Sequence, residues 1–404
     1  MDQTPHAPSR SFTLAGKTAN VNFTLPGNWR PLQILGSGSY ATVASFDADG
    51  RELAVKKVEG IFAHPVLALR TLREVKLLAH LQHPNILCLH ELYLDGPSFK
   101  DAYLCLERMD GDLHLLIHGT KNYLSDHQVQ CVLYQMLRGL LCLRCAKVIH
   151  RDLKPGNVLV RSGGEVKIGD LGLARGIDSD EDGHDELMLT EYVVTRYYRA
   201  PEVVLTASKY TYAVDMWSTG CILGEMLTRR PIFEGKDSLD QVKKIIGVLG
   251  CQAHEDLAWI PASSSAQKFV QMCNKSVPPT DQGLLNLTKR RSGPPTNPLA
   301  VDMLVQMLRF DPSRRVGVED ALEHRFLKQF VPAEDAEVAS ARNTPSMDWT
   351  FDASLCFDRT SGRPKPFQVD EFRRTFVEAR EELRRPGAQI MSSRHLNFDA
   401  SWRD

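Results

Sequence analysis

The period of apolar and polar positions changes repeatedly along the chain, and each change marks an element. From Leu32 to Phe46 an apolar run is interrupted by Gly36-Ser37-Gly38-Ser39-Tyr40-Ala41-Thr42-Val43, which reads as strand, glycine turn, strand. Glu52 to Val58 alternates, so Ala54 and Lys56 point to the same face of a further strand. Helical spacing follows from Val66 to Leu81, with Leu69, Leu72, Leu77 and Leu78 apolar and Arg70, Arg73 and Glu74 among them. His83-Pro84-Asn85-Ile86 breaks that helix, and strands are expected over 87–94 and 102–106 on either side of Asp95-Gly96-Pro97. Beyond this point helical segments dominate, over 113–117, 125–145, 213–227, 237–249 and 299–308, with one hairpin of 158–160 and 166–168 about Ser162-Gly163-Gly164. A last helix is expected over 369–383, where Phe372 and Phe376 share a face. Residues 1–28, rich in Pro, Ser, Thr and Asn and without a period, read as a flexible leader.

The pattern predicts an α+β protein of two lobes: a small antiparallel sheet with one key helix over 29–107, and a larger, mostly helical part over 108–330. Residues 331–404 follow as a carboxyl extension. With 404 residues there is enough chain for two cores. Lys and Arg number 49 against 50 Asp and Glu, so no global field draws the chain to nucleic acid or to a membrane. The longest apolar stretch, 131–149, carries Arg138, Arg144 and Lys147 and is a buried helix rather than a membrane span. Nine scattered cysteines, and a start without a basic region followed by an apolar core, suit a reducing compartment. Cys142 and Cys145 lack a second pair at zinc spacing and belong to the core-facing helix.

Candidate chemistry centres on His150-Arg151-Asp152-Leu153-Lys154-Pro155-Gly156-Asn157. Asp152 can take a proton from a hydroxyl, Lys154 can sit beside a phosphate, and the Asn157 carbonyl oxygen can ligate a hard cation such as Mg²⁺. Asp170, in Asp170-Leu171-Gly172 after the hairpin, offers a second ligand to that cation. Gly36 and Gly38 free the backbone to approach a triphosphate, and Ala54 leaves room for a flat base above Lys56. Glu74 has two readings. It can pair with Arg70 one turn earlier, worth about 0.3 kcal/mol on an exposed helix; the second, in which it crosses to Lys56 and fixes it, is what a resemblance to kinases implies.

The eight-residue run resembles the catalytic loop of protein kinases, H-R-D-L-x-x-x-N. Other kinase-like blocks occur in that family's order: the glycine turn, the Val55-Lys56 strand, the Glu74 helix, Asp170-Leu171-Gly172, Ala200-Pro201-Glu202 and Asp215-Met216-Trp217-Ser218-Thr219-Gly220. Thr190-Glu191-Tyr192, followed by Thr195-Arg196-Tyr197-Tyr198-Arg199-Ala200-Pro201-Glu202, is similar to the activation segment of a mitogen-activated protein kinase of the extracellular-signal-regulated type. The departures from the family pattern are Ala41 for the third glycine, Leu171 for the usual Phe, and Val331 for an acid of the docking patch.

The resemblance implies transfer of the ATP γ-phosphoryl group, with Mg²⁺, to a Ser or Thr followed by Pro. Asp152, Lys154, Lys56 and Glu74 would be catalytic, and Asn157 and Asp170 would hold the metal. Leu35, Gly36, Gly38, Val43, Ala54, Lys56, Leu106, Glu107, Met109, Asp112 and Leu159 would line the ATP site. Thr190 and Tyr192 would be phosphorylated; Arg73, Arg151 and Arg175 would then gather around phosphothreonine, and Arg196 and Arg199 would hold phosphotyrosine. Arg315 would anchor Glu202, and the extension over 331–404 would pack back on the first lobe. Partners implied are protein substrates, an upstream dual-specificity kinase, and phosphatases and scaffolds docking on Glu334, Asp335 and Glu337. The expected form is a cytoplasmic monomer with access to the nucleus. Two alternatives stand beside this reading. A cyclin-dependent kinase would need a cyclin-binding helix signature, which 65–76 does not show, and a pseudokinase scaffold would keep the fold for binding alone.

Overall fold

Two strands already pair before the first apolar run that the sequence pattern singles out. β1 (Ser9–Ala15) and β2 (Asn20–Pro26) form an antiparallel hairpin in register Phe12↔Phe23. The computed structural model describes residues 8–16, 19–38, 41–177, 196–206, 210–250, 252–275, 282–290, 295–328, 335–357 and 364–384. The hairpin is followed by β3 (Arg30–Ser37), β4 (Ala41–Ala48), β5 (Arg51–Val58), helix α1 (Pro65–His80), β6 (Leu89–Tyr93) and β7 (Ala102–Glu107). These last five strands make one antiparallel sheet in the order β3-β4-β5-β7-β6.

The expectation of a flexible leader over 1–28 is corrected for the described residues. Phe12, Leu14, Phe23 and Leu25 alternate inward and join Trp29, Phe46, Leu53, Val55 and Tyr103 in one buried cluster. Polar anchors add to it: the Thr24 N–H donates to the Tyr103 hydroxyl at 3.1 Å, and Lys57 donates to the Asn22 carbonyl at 2.6 Å. Composition pointed the other way because the outward positions are Ser, Thr and Asn. The period of two in Phe12-Thr13-Leu14 and Phe23-Thr24-Leu25 was the relevant signal.

With Leu53 and Val55 given to the hairpin side, β5 turns Ala54 and Lys56 to the opposite face. Cross-strand pairs Val43↔Lys56 and Ala54↔Leu106 place Val43 and Leu106 on that same face. α1 begins with Pro65 at its first turn, where the missing N–H costs nothing, and His64 caps it by accepting from the Val66 N–H.

Among the described residues, unit two takes those from 111 to 169 and from 174 to 346, while 170–173 and those from 347 to 384 belong with those from 8 to 110. It opens with β8 (Gly111–Asp112), α2 (Leu113–His118) and α3 (Asp126–Cys145). Ser125 starts α3 with a reciprocal cap to Gln128, and every residue of α3 from Val129 to Leu143 is buried. Short strands β9 (Val148–Ile149), β10 (Val158–Val160), β11 (Val166–Ile168) and β12 (Arg175–Gly176) carry the intervening loops. The helices α4 (Pro201–Leu205), α5 (Ala213–Thr228), α6 (Ser238–Leu249), α7 (Ser265–Asn274), α8 (Gly283–Leu287), α9 (Pro298–Met307), α10 (Val318–Leu322) and α11 (Ala336–Arg342) follow. α5 is almost wholly buried, and its close approach to α9 needs Gly220: a Cβ there would lie 2.9 Å from Leu308 and Met307 side-chain atoms.

In the first unit α12 (Thr350–Cys356) and α13 (Val369–Leu383) close the described fold. Phe376 of α13 meets Phe62 and Phe99 edge-on, Arg373 lies over the Phe62 ring at 5.0 Å, and Lys76 of α1 bonds Glu382 at 2.7 Å. Deleting residues 1–28 should therefore lower the thermal midpoint by several degrees, and Phe23→Ala alone should cost about 3–5 kcal/mol. Thermal unfolding followed by near-ultraviolet circular dichroism checks this; an unchanged midpoint in both would mean that the hairpin stabilises nothing.

Candidate active site

In the first unit Lys56 meets both oxygens of Glu74, at 2.7 and 2.8 Å, and its Nζ lies 3.5 Å from the Asp170 carboxylate. The crossing reading of Glu74 is the one the geometry takes, and Glu74 is buried. Burial is the largest influence on Lys56 and pulls its pKa down, but the Glu74 and Asp170 carboxylates outweigh it and hold the ammonium charged. Glu74 is pushed up, first by burial and further by Asp170, against the pull of Lys56. Asp170 sits in the left-handed region at φ 56°, a conformation that costs a non-glycine residue about 1–2 kcal/mol.

In the second unit the loop after β9 hangs on Asp215, at the start of α5. The Asp215 carboxylate accepts the N–H of His150 at 2.8 Å and of Arg151 at 2.9 Å, where Arg151 turns left-handed at φ 70°. Burial pushes the Asp215 carboxyl up, with His150 and the two N–H bonds opposing. His150 is fully buried. Its Nε2 lies 2.9 Å from the Gly169 carbonyl, which can only accept, and its Nδ1 accepts the Asp152 N–H at 3.2 Å. The two bonds together define the tautomer with hydrogen on Nε2.

Asp152 itself is held by one oxygen. Lys154 donates to its Oδ2 at 2.7 Å and the Asn157 amide nitrogen donates to the same oxygen at 3.0 Å. Among the described residues no donor reaches Oδ1, which is left as a proton acceptor. The Asn157 nitrogen also donates to the Asp152 carbonyl at 2.8 Å, so both its hydrogens are used and the side-chain carbonyl oxygen points elsewhere. That oxygen, hard and neutral, suits Mg²⁺. β10 pairs with β8 in register Leu159↔Asp112, while Asp112 caps α2 by accepting from the Leu115 N–H at 2.8 Å.

The protein kinase domain model matches residues 29–327. Mitogen-activated protein kinase 7 of Arabidopsis thaliana is 43% identical over 310 residues, covering 76% of this chain and 80% of the relative. Mitogen-activated protein kinase 4 of Oryza sativa is 42% identical over 309 residues, 76% and 80% of the two chains, and spk1 of Schizosaccharomyces pombe is 39% identical over 328 residues, 80% and 84%. The chain belongs to the mitogen-activated protein kinases. It is a serine/threonine protein kinase, and the α+β fold with an antiparallel sheet and a helical lobe is that of the family. Among the described residues no helix is long and apolar enough to cross a membrane.

Several of the candidate residues come together. Val43, Ala54, Lys56 and Leu106 share one sheet face, and Leu106 and Met109 are buried. Leu35 sits at a register shift between Ile34 and Gly36 and is exposed. Gly36 pairs with Val43, and Gly38 closes the described part of the turn by donating to the Ala41 carbonyl at 2.9 Å. Glu107 turns its carboxylate back to the Cys88 N–H at 2.7 Å. Arg315 holds both oxygens of Glu202 and lies over Trp217 at 4.9 Å.

Others do not. Arg73, expected at phosphothreonine, is buried on α1 and binds the equally buried Asp352 of α12 through Nε at 2.5 Å and Nη2 at 2.8 Å. Removing one partner of such a pair costs about 3–5 kcal/mol. Asp335, expected on a docking surface, is turned inward: Tyr134 donates to it, Arg138 lies 3.7 Å away, and it caps α11 through the Val338 N–H at 3.1 Å. Its docking role is withdrawn, because a carboxylate 6% exposed and bonded from three sides has nothing to offer a partner. Arg175 pairs with Ile149 beside the catalytic loop, Arg151 lies over the Tyr210 ring at 4.1 Å, and Arg196 donates to the Lys236 carbonyl at 2.9 Å. The Arg199 N–H donates to the Arg196 carbonyl at 3.1 Å. Thr190, Tyr192 and Glu334 lie outside the described residues, as does the side chain of Glu337.

Sequence reasoning missed Asp352, and only its place at a helix start close to Trp349 and Phe351 could have drawn attention to it. The shift on Glu74 gives a test. As pH falls, its carboxyl takes up a proton above the pH at which a free glutamate does, about 4.3, and Lys56 loses its partner. The KM for ATP should therefore rise on the acid side in the wild type. Glu74→Gln should show a KM raised roughly tenfold at pH 7, in line with a charge-assisted bond of about 1.5–3 kcal/mol, without that acid limb. An identical acid limb in the variant would assign it elsewhere.

Proposed function

We propose that this kinase transfers the γ-phosphoryl group of ATP to the hydroxyl of a Ser or Thr followed by Pro, and that it is switched on by phosphorylation of Thr190 and Tyr192. The observation that carries the catalytic part is the division of labour around Asp152: one oxygen is fixed by Lys154 and Asn157, and the other is left for a hydroxyl proton. The substrate hydroxyl hydrogen-bonds to Oδ1, gives up its proton there as the new P–O bond forms, and the ADP oxygen leaves with the electrons of the broken P–O bond. Lys154 keeps Asp152 oriented and offsets charge on the transferred group. Lys56, itself fixed by Glu74, pairs with the nucleotide phosphates. Asn157 and Asp170 would hold Mg²⁺, which when bound neutralises phosphate charge.

Activation is read from charge. Each added phosphate brings about −1.5 to −2 units and three acceptor oxygens, which arginines bind in pairs. Arg151 and Arg175 are the candidates for phosphothreonine, and Arg196 and Arg199 for phosphotyrosine. Arg73 can join them only by giving up Asp352. The family membership supports an upstream dual-specificity kinase as activator and a proline-directed substrate class. With Asp335 withdrawn, Glu334 and Glu337 are left as the acids for phosphatase and scaffold docking. We place the enzyme in the cytoplasm with access to the nucleus, acting as a monomer.

Labelled ATP and a Ser-Pro peptide test this directly. The wild type, treated with an activating kinase, should incorporate label; Asp152→Asn should lose at least a hundredfold in kcat, in the range of a lost general base, and Thr190→Ala with Tyr192→Phe should stay at the untreated rate. Background incorporation by wild type and Asp152→Asn alike would favour a scaffold. Full activity of the double variant would place the switch elsewhere.

A further inference from the structure

Outside the catalytic residues, two imidazoles and a buried carboxylate converge on the second unit. His114 and His118 stand four residues apart on α2, so they project from one face of the helix, with ring centroids 4.5 Å apart. Opposite them, Glu225 near the end of α5 is 1% exposed, and its Oε1 lies 2.8 Å from His118 Nε2. One donor atom from each of the three residues lies within 4.8 Å of the other two.

We propose that His114, His118 and Glu225 form a Zn²⁺ site. The ligand set is two neutral nitrogens and one anionic oxygen, the composition of open three-ligand zinc sites, and the i, i+4 histidine pair is the helical spacing such sites use. Ligands about 2.0–2.2 Å from a tetrahedral ion are roughly 3.3–3.5 Å apart. His118 and Glu225 therefore need to open by about half an ångström as the shared proton leaves, and His114 needs to swing inward by about an ångström. His114 is exposed and free to make that movement. Three protein ligands leave a fourth tetrahedral position for water.

The carboxylate is also braced from behind. Tyr198 donates to Glu225 Oε2 at 2.6 Å, a bond that fixes the orientation of a ligating carboxylate as second partners of metal ligands do. The Tyr198 carbonyl accepts from Ser218, which ties the Arg196–Tyr198 turn to α5. An ion here would join α2, α5 and that turn through one centre. The simpler view, a hydrogen bond between His118 and Glu225 with His114 resting against its neighbour, gives His114 no part in metal affinity.

That difference is the test. The 404-residue chain, stripped with chelator, is titrated with Zn²⁺ against a chromogenic competitor, and Co²⁺ is used as a spectroscopic substitute. The site requires one equivalent of Zn²⁺ bound by wild type, a loss of more than a hundredfold in affinity in His114→Ala, exceeding the roughly 10–100-fold effect of an outer-shell change, and a Co²⁺ spectrum without thiolate charge transfer. Because His114 is exposed, its substitution should leave the metal-free melting temperature unchanged, so lost affinity is not lost folding. Equal Zn²⁺ affinity in wild type and His114→Ala, or a thiolate band that persists in the variant, would overturn the proposal.

Discussion

The reactive half of this kinase depends on one buried carboxylate taking two consecutive backbone N–H groups. Asp215 receives His150 and Arg151 together, and so forces the left-handed turn at Arg151 that chain sterics oppose. The cost of that conformation is of order 1–2 kcal/mol. It is offset by two bonds to a charged acceptor, each worth about 1.5–3 kcal/mol. With that turn fixed, His150 can bridge the Asp152 N–H and the Gly169 carbonyl, and Asp152 presents one oxygen while Lys154 and Asn157 occupy the other. The placement of Asp152 is a consequence of backbone geometry set from α5.

In the first unit the corresponding constraint is the azimuth of α1. Glu74 can reach Lys56 only if the helix is rotated correctly, and its neighbour Arg73 is clamped by Asp352 from the carboxyl extension. Lys76 to Glu382 and the packing of Phe376 against Phe62 and Phe99 hold the same helix at further points. The extension therefore contributes to the position of the Lys56–Glu74 pair, and the phosphate proposed above, to recruit Arg73, would have to compete with a partner already desolvated.

Much of this was legible in the chain, and the parts that were not share a cause. His150 to Asn157 and the Ala54 and Lys56 face are local patterns, whereas the crossing of Glu74 to Lys56 was one of two readings and followed from the resemblance to kinases. The amino-terminal hairpin was missed because its Ser, Thr and Asn positions outweighed a period of two carried by only four apolar residues. Asp335 was read as a surface acid because its inward turn is set by Tyr134 and Arg138 on another helix, and Arg73 was assigned a phosphate because its partner lies 279 residues away. Side-chain direction and long-range pairing are properties of the packed core, and an isolated stretch of sequence does not encode them.

The most direct measurement is steady-state kinetics of the activated enzyme carrying Asp215→Asn, with ATP and peptide varied separately. An amide accepts on one atom only, so one of the two N–H bonds is lost and the loop bearing Asp152 shifts. A misplacement of about 1 Å costs on the order of a hundredfold in rate, so kcat should fall by that factor while the KM for ATP, set by Lys56 and Glu74, changes by less than threefold. An unchanged kcat, with the variant folded, would contradict the claim that Asp215 positions the catalytic loop.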